Sequence, residues 1–129
     1  FGSDDEVRGA RDDDRELLAA RDRARRALAA LAPRFHRGLG EGVGLAVKAP
    51  FTTADGRGEY MWIEVRAWDG DVLRGVLIDE PLEVPGLHAG AAVEARQPDV
   101  FDYYLAGPAG IIEGNETSAI LERRELYRP

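Results

Sequence analysis

Residues Glu59 to Leu77, EYMWIEVRAWDGDVLRGVL, are the stretch that decides the predicted fold. Two apolar runs flank the dipeptide Asp69-Gly70. Asp-Gly in that setting is the strongest short-range signal for a β-hairpin, because a type I′ turn needs positive φ at both central residues. The sequence therefore predicts a hairpin with a two-residue loop at Asp69-Gly70.

A loop of this kind determines which residues face each other across the hairpin. Counting outward from the turn pairs Trp68 with Asp71, and places Trp62 and Gly75 as diagonal neighbours on the same face. Both faces of the hairpin then carry many apolar side chains, which is typical of strands that are covered on both sides. We therefore predict that this hairpin lies centrally in the sheet.

Trp62 has two alternative roles in this register. Its indole can cover Gly75, which has no side chain, and burying an indole of ~150–250 Å² at about 25 cal/mol per Å² contributes roughly 4–6 kcal/mol. This favours a core position for Trp62, with a binding-site aromatic as the alternative. Tyr60 and Trp68 are the hairpin residues that we expect to face a partner.

Length and composition exclude several classes of protein. A chain of 129 residues is long enough for one domain with a core of its own. It contains no cysteine, which excludes thiol catalysis and cysteine-ligated zinc. No apolar run approaches the ~18 residues of a membrane span, so a soluble, cytoplasmic domain is predicted.

The net charge of −7 indicates what kind of partner suits the chain. Nucleic acids and anionic membranes bind positive surfaces, so neither is predicted as a partner. Another protein with a neutral or basic surface fits the charge better. The oligomeric state is not predicted.

The N-terminal part is predicted to contain one helix. Residues 1–12 are charged and poor in apolar side chains, which indicates a disordered or cloning-derived lead-in to a single domain over 13–129. Apolar residues then recur every three or four positions, which predicts an amphipathic helix over about 14–32. Asp12-Asp13-Asp14 precede it as candidate capping residues, and Pro33 is expected to end it.

A run of short strands is predicted to follow the helix. The glycines in 38–44 are expected to form a flexible connector, because a phosphate-binding loop would follow a strand and open a helix. Strands are predicted within about 45–122, the last of them over 111–122 around a bulge at Gly114-Asn115. The predicted class is α+β, with the N-terminal amphipathic helix packed on a strongly bent antiparallel β-sheet or a partly open small barrel.

Five motifs resemble those of a known family. They are Val47-Lys48 with Phe51; Glu59-Tyr60-Met61-Trp62; Gly75-Val76-Leu77-Ile78-Asp79-Glu80-Pro81; Leu87 with Gly90 and Val93; and Asp102-Tyr103 followed by Gly114-Asn115-Glu116-Thr117. In order and spacing they resemble the uncharacterised bacterial family catalogued as domain of unknown function 2314, over most of the chain. The resemblance implies the overall shape and a bacterial, soluble setting, and it implies no particular activity.

The chain departs from the family pattern at four positions. The family tends to have His at Tyr60, Asn at Asp79, an acid at Ala91 and Trp at Tyr103. If the family histidine acts as an acid or base, that role is absent here because a tyrosine occupies the position.

Residues that common catalytic mechanisms need are scarce in this chain. His36 and His88 have no partner at metal-ligand spacing, and Ser118 lacks a nucleophile-elbow pattern. Paired carboxylates can serve as general acid and base, but Asp79 and Asp102 equally suit the bonding of turn amides. The acids that can converge are Glu59, Asp79, Asp102 and Glu113. No catalytic residue, metal site or cofactor is predicted.

The candidate site is therefore a binding surface. Aromatic side chains beside a few charges are favoured at such surfaces, with a packed sheet face as the alternative. The function predicted is a non-enzymatic protein-interaction or binding module. The alternative is a small hydrolase or ligand-binding enzyme that uses Asp79 and Asp102 with Lys48. The residues of the candidate surface are Lys48, Tyr60, Trp62, Trp68, Asp79, Asp102, Tyr103 and Thr117.

Overall fold

The computed structural model describes residues 14–126, so the predicted lead-in at 1–12 lies outside the described residues. An N-terminal helix packs on an open six-stranded antiparallel sheet, which confirms the α+β class; the sheet is not closed into a barrel. The elements are α1 (Arg15–Arg37), β1 (Gly44–Thr52), β2 (Gly58–Asp69), β3 (Val72–Leu77), β4 (Ala92–Arg96), a 3₁₀ turn (Gln97–Asp99), β5 (Asp102–Gly107), β6 (Gly110–Gly114) and α2 (Glu116–Leu126). In the sheet, the strand order is β4-β3-β2-β1-β5-β6.

Helix α1 continues through Pro33, so the prediction that this proline ends the helix at about residue 32 is wrong. Proline removes one backbone hydrogen bond from a helix interior. Here the apolar stripe of the helix extends past it to Phe35, whose ring packs 5.6 Å from the ring of Trp68, measured between centroids. This packing favours continuation of the helix over the local preference of proline to end it.

Residues 116–122 form helix α2 and not the end of a strand, which corrects the prediction for 111–122. Thr117 and Ile120 are buried and lie three residues apart, a helical spacing, and Ile120 packs against Leu17 and Ala20 of α1. Asp14 was predicted to cap α1. It occupies the N-cap position, but its side chain makes no capping hydrogen bond and instead pairs with Arg124 of α2.

The hairpin of β2 and β3 forms as predicted, but its turn is displaced by one residue. Asp69 pairs with Val72, so the two-residue loop consists of Gly70 and Asp71 and not of Asp69 and Gly70. Only Gly70 has positive φ in this loop, at 59°, which is the pattern of a type II′ turn with glycine first. The carboxylate of Asp71 accepts a hydrogen bond from Arg96 at 2.8 Å, which ties the loop to β4.

A β-bulge in β2 changes the face to which one tryptophan points. The register shifts between Val65 and Ala67, so Arg66 is the extra residue. Beyond the bulge Trp68 pairs with Leu73, and both side chains join the buried core with Val65. The predicted pairing of Trp68 with Asp71 is wrong because the turn lies one residue further along the chain. The bulge, which counting from the turn cannot include, then decides which face Trp68 shares with Val65.

The sheet has two faces of different character. Helix α1 covers one of them, here called the covered face, and both hairpin strands lie inside the sheet as predicted. The other, here called the open face, is only partly covered: Lys48 at one end contacts Thr117 of α2, whereas Glu64 and Ile78 are exposed. Side chains on the covered face include Leu45, Val47, Ile63, Trp68, Leu73, Tyr103 and Leu105. Residues that pair across neighbouring strands, and residues two apart on one strand, share a face. The residues that define the open face in this way are Ala46, Lys48, Trp62, Glu64, Val76, Ile78 and Tyr104.

Candidate functional site

Lys48 is the centre of the candidate site at one end of the open face. The register places it on β1 directly between Trp62 of β2 and Asp102 of β5. Its ammonium nitrogen lies 5.7 Å from the ring centroid of Trp62 and 5.5 Å from that of Phe101, within the range of cation–π attraction. Burial lowers the pKa of Lys48, and the negative charges of Asp102 and Asp79 oppose part of that effect.

Asp102 holds the start of helix α2 next to this lysine. Its side chain is buried and accepts hydrogen bonds from the Thr117 backbone N–H at 2.9 Å and from the Thr117 hydroxyl. The Tyr103 N–H donates to its other oxygen at 2.8 Å. A carboxylate that accepts an amide in the first turn of a helix acts as a cap, here supplied by another element. Lys48 lies 3.3 Å from the Thr117 Oγ1 and completes the cluster.

The other acids near the site also bond backbone amides. Asp79 accepts the Trp62 N–H at 2.8 Å, which fixes the segment after β3 against β2. Glu59 accepts the N–H groups of Leu82 and Glu83 at 2.9 and 3.0 Å. Asp79 thus satisfies a donor of strand β2, and Glu59 satisfies two donors of the loop after β3. This is the ordinary structural role that the sequence left open for Asp79 and Asp102.

Aromatic rings continue the site along the open face. Trp62 and Tyr104 pack with centroids 4.8 Å apart and planes tilted by 53°. Tyr60 packs on Phe101 with centroids 5.0 Å apart. Tyr60 and Ile78 are 41% and 44% exposed, which leaves apolar surface accessible beside the charges. Burial and the negative charges of Asp79 and Glu64 raise the pKa of the Tyr104 hydroxyl.

Six of the eight predicted surface residues meet in this region, and two do not. Those that meet are Lys48, Tyr60, Trp62, Asp79, Asp102 and Thr117. Trp68 is only 2% exposed and lies in the core of the covered face, so the expectation that it faces a partner is wrong. Tyr103 is 5% exposed on the same face, where its hydroxyl donates to Glu113 at 2.7 Å.

Trp62 lies away from Gly75, contrary to the predicted packing. Gly75 pairs with Val65, and a Cβ atom placed on it would lie 1.8 Å from the carbonyl oxygen of Glu64. The glycine is therefore required by the close approach of the bulged β2 backbone and not by an indole above it.

Two residues of the site, Phe101 and Tyr104, were missed in the sequence. A signal for Tyr104 existed: alternate residues of a strand share a face, so Tyr104 and not Tyr103 belongs with Asp102. Phe101 has no comparable signal, because it precedes β5 and its position depends on the hydrogen bond that its N–H donates to the Lys48 carbonyl at 2.7 Å.

Two further properties hold for the described part of the chain. Across residues 14–126 no three His, Asp or Glu side chains are grouped closely enough to hold a metal ion. Helices α1 and α2 are too short or too polar to cross a bilayer.

Comparison with known proteins places the chain in a family. A search of curated proteins and a search of solved structures found no match. The family model described as an uncharacterised protein conserved in bacteria, domain of unknown function 2314, matches residues 14–123. This range includes α1, all six strands and most of α2, and it contains all five motifs of the sequence. The chain therefore belongs to the bacterial family of domain of unknown function 2314.

Proposed function

We propose that this protein is a non-enzymatic binding module whose open face binds another protein. The observation that supports this proposal is that α1 buries the side chains of one face of the sheet, whereas several side chains of the open face remain exposed or only partly buried. The open face combines aromatic rings, an exposed isoleucine and a few charges, which is the composition that protein interfaces favour at their centres. Trp62, Tyr104 and Ile78 are its central residues.

The charge of the chain favours a neutral or basic partner. With a net charge of −7, the protein attracts positive surfaces and repels nucleic acids and anionic membranes. A cytoplasmic bacterial protein with a basic patch is the partner that this proposal names.

An enzyme that uses Asp79 and Asp102 with Lys48 is the alternative function. The lowered pKa of Lys48 favours it, since a lysine with a lowered pKa is a better nucleophile or base. Against it stands the hydrogen bonding of both carboxylates, which accept backbone N–H groups and so act in the loop and helix structure. The binding function needs no second role for these acids and is preferred.

The experiment compares two substitutions at equally exposed positions. Ile78 on the open face and Leu121 on α2 are both 44% exposed, so Ile78→Asp and Leu121→Asp add the same charge at sites of equal accessibility. Tagged wild-type protein and both variants are used to capture proteins from a bacterial lysate, and the recovered partner is then purified for calorimetry with each variant.

We expect the partner to bind the wild type and Leu121→Asp alike, and to bind Ile78→Asp at least about tenfold more weakly, because a buried unpaired charge costs more than 1.4 kcal/mol. Equal binding of the two variants, or no partner that distinguishes them, would contradict the proposal.

A further inference from the structure

We propose that a groove on the open face binds an arginine side chain of the protein partner. This inference deepens the proposed function and rests on it. The groove has a floor of small residues, Gly44, Ala46 and Ala106, and walls formed by Glu64, Ile78 and Tyr104. It contains both an acid and an aromatic ring, the two groups that a guanidinium binds best.

The shape of the groove follows from the strand register. Ala46 pairs with Glu64 on one side and with Tyr104 on the other, so a row of three residues has large side chains at both ends and a methyl group in the middle. Strands are ~4.8 Å apart, which separates the two end residues by about 10 Å across the row. The next row is still smaller, because Gly44 pairs with Ala106. A flat side chain can therefore lie between the acid and the phenol ring.

The size of the groove suits one side chain. Its volume is about 270 Å³, below the ~300–1,000 Å³ that is usual for sites of whole small molecules. The groove is open to solvent along the sheet, so a side chain can enter from a docked protein without rearrangement of the strands. This favours a residue of a partner over a free cofactor.

A carboxylate, that of Glu64, lines the groove. Burial raises the pKa of the Tyr104 hydroxyl on the opposite wall, and the negative charges of Asp79 and Glu64 act in the same direction. The ammonium of Lys48 is also on this face, but it is directed to Thr117 and has Asp102 and Asp79 as counter-charges.

Within the protein, Arg66 already binds Glu64 in the way proposed for the arginine of the partner. Its guanidinium donates to Glu64 at 3.2 Å, and both side chains are at least half exposed. An exposed pair of this kind contributes little stability, so an incoming guanidinium can replace it at small cost. The arginine of a partner would also gain the ring of Tyr104.

The test uses a peptide probe, so it does not depend on identifying the partner. Acetyl-Gly-Arg-Gly-amide is titrated into the ¹⁵N-labelled protein, and the chemical shifts of the Ala46 and Glu64 amides and of the Trp62 indole are followed. Acetyl-Gly-Gln-Gly-amide is the neutral control peptide. We expect saturable shifts with the arginine peptide alone, with a Kd on the order of several mM because one side chain supplies all the contacts.

Two variants and a matched control make the assignment specific. Glu64→Gln is expected to weaken binding about three- to fivefold, and Arg66→Gln to tighten it about twofold by removing the internal competitor. Glu94 is the control, because it is an exposed strand acid that also pairs with an arginine, Arg74, at 3.2 Å. Glu94→Gln should leave the Kd unchanged. No saturable shift, equal binding of the neutral peptide, or an unchanged Kd in Glu64→Gln would overturn the inference.

The outcomes also separate this inference from the proposed function. If Ile78→Asp abolishes partner binding and Glu64→Gln leaves the affinity unchanged, the proposed protein-binding function is supported and the arginine groove is contradicted. If the arginine peptide binds but no partner is sensitive to Ile78→Asp, the arginine groove is supported and the proposed protein-binding function is contradicted.

Discussion

The covered and open faces of this sheet are built from the same strands and differ in what they contact. On the covered face the side chains of Val47 and Ile63 are fully buried beneath α1. On the open face Trp62 and Tyr104 are only partly buried, although both are larger and bury more area per residue when covered. Large apolar groups that stay partly exposed contribute less to folding than buried ones, and this is why we propose that the open face binds a partner.

One residue decides which tryptophan belongs to which face. Without the bulge at Arg66, strict alternation would place Trp68 on the face of Trp62. The bulge moves it to the covered face, where it packs against Phe35. The division between core and surface in the hairpin therefore depends on an irregularity of the backbone.

The largest expected effect is the difference between the two tryptophans. Trp68→Ala should lower the free energy of unfolding by about 3–5 kcal/mol, as for a large aromatic in a core. Trp62→Ala should lower it by about 1 kcal/mol, because its ring is partly exposed and packs mainly on Tyr104. Urea unfolding followed by circular dichroism measures both values.

Fluorescence quenching provides the independent check of this pair. Acrylamide should quench the Trp68→Ala variant, which retains Trp62, more strongly than the Trp62→Ala variant. Similar unfolding free energies and similar quenching in the two variants would mean that the faces do not differ in cover.

A smaller effect is expected at Gly75, where the bulge brings two backbones together. Gly75→Ala would place Cβ 1.8 Å from the Glu64 carbonyl oxygen, so we expect a loss of about 1–3 kcal/mol from overpacking. Gly58 is the matched control in the adjacent strand, because its Cβ would meet only Pro50 at 3.6 Å. Gly58→Ala should change stability by less than about 0.5 kcal/mol. Equal effects at the two glycines in urea unfolding would contradict the described register.

The smallest effect concerns the titration of Lys48, which is the only lysine in the chain. Reductive ¹³C-methylation labels this amine and the N-terminus, and NMR then gives its pKa. We expect a value below the ordinary 10.5 in the wild type. Asp79→Asn should lower it further, because it removes a favourable negative charge and keeps an oxygen that can accept the Trp62 N–H.

The lowered pKa of Lys48 also predicts how the stability of the protein depends on pH. Because the pKa of Lys48 is lower in the folded chain than in the unfolded one, the unfolded chain binds more protons between the two values. The contribution of Lys48 to the free energy of unfolding therefore rises with pH in that interval, by at most about 1.4 kcal/mol per pH unit. The free energy of unfolding of the wild type, relative to that of Lys48→Met, should therefore rise as pH approaches 10.5. A measured pKa of Lys48 at or above 10.5 would contradict the buried environment described for its ammonium group.

Much of the architecture was predictable from local patterns. The three- and four-residue spacing of apolar side chains predicts α1, and the two apolar runs around Asp69-Gly70 predict the hairpin. The errors occur where local preference and tertiary packing disagree. Pro33 is an example, because packing of Phe35 retains a helix that local rules would end. Residues 116–122 are another, because their helix depends on a cap from Asp102 on a distant strand.

The candidate site was predictable in its residue types and only partly in its geometry. Lys48, Trp62 and Asp102 meet because their strands are neighbours and pair in this register, and both the strand order and the register are needed to predict this. The positions of Phe101 and Trp68 depend on a non-strand hydrogen bond and on a bulge. Neither leaves a pattern in a single sequence.

The sequence by itself determined the α+β class, the acidic charge, the central hairpin and the residue types of the candidate surface. These follow from composition, periodicity and turn chemistry, which act over a few residues. The tertiary structure alone decided which hairpin tryptophan is buried, where α1 ends and that α2 exists. Each depends on free energy from residues far apart in the chain, such as the cap from Asp102 and the packing of Phe35 on Trp68.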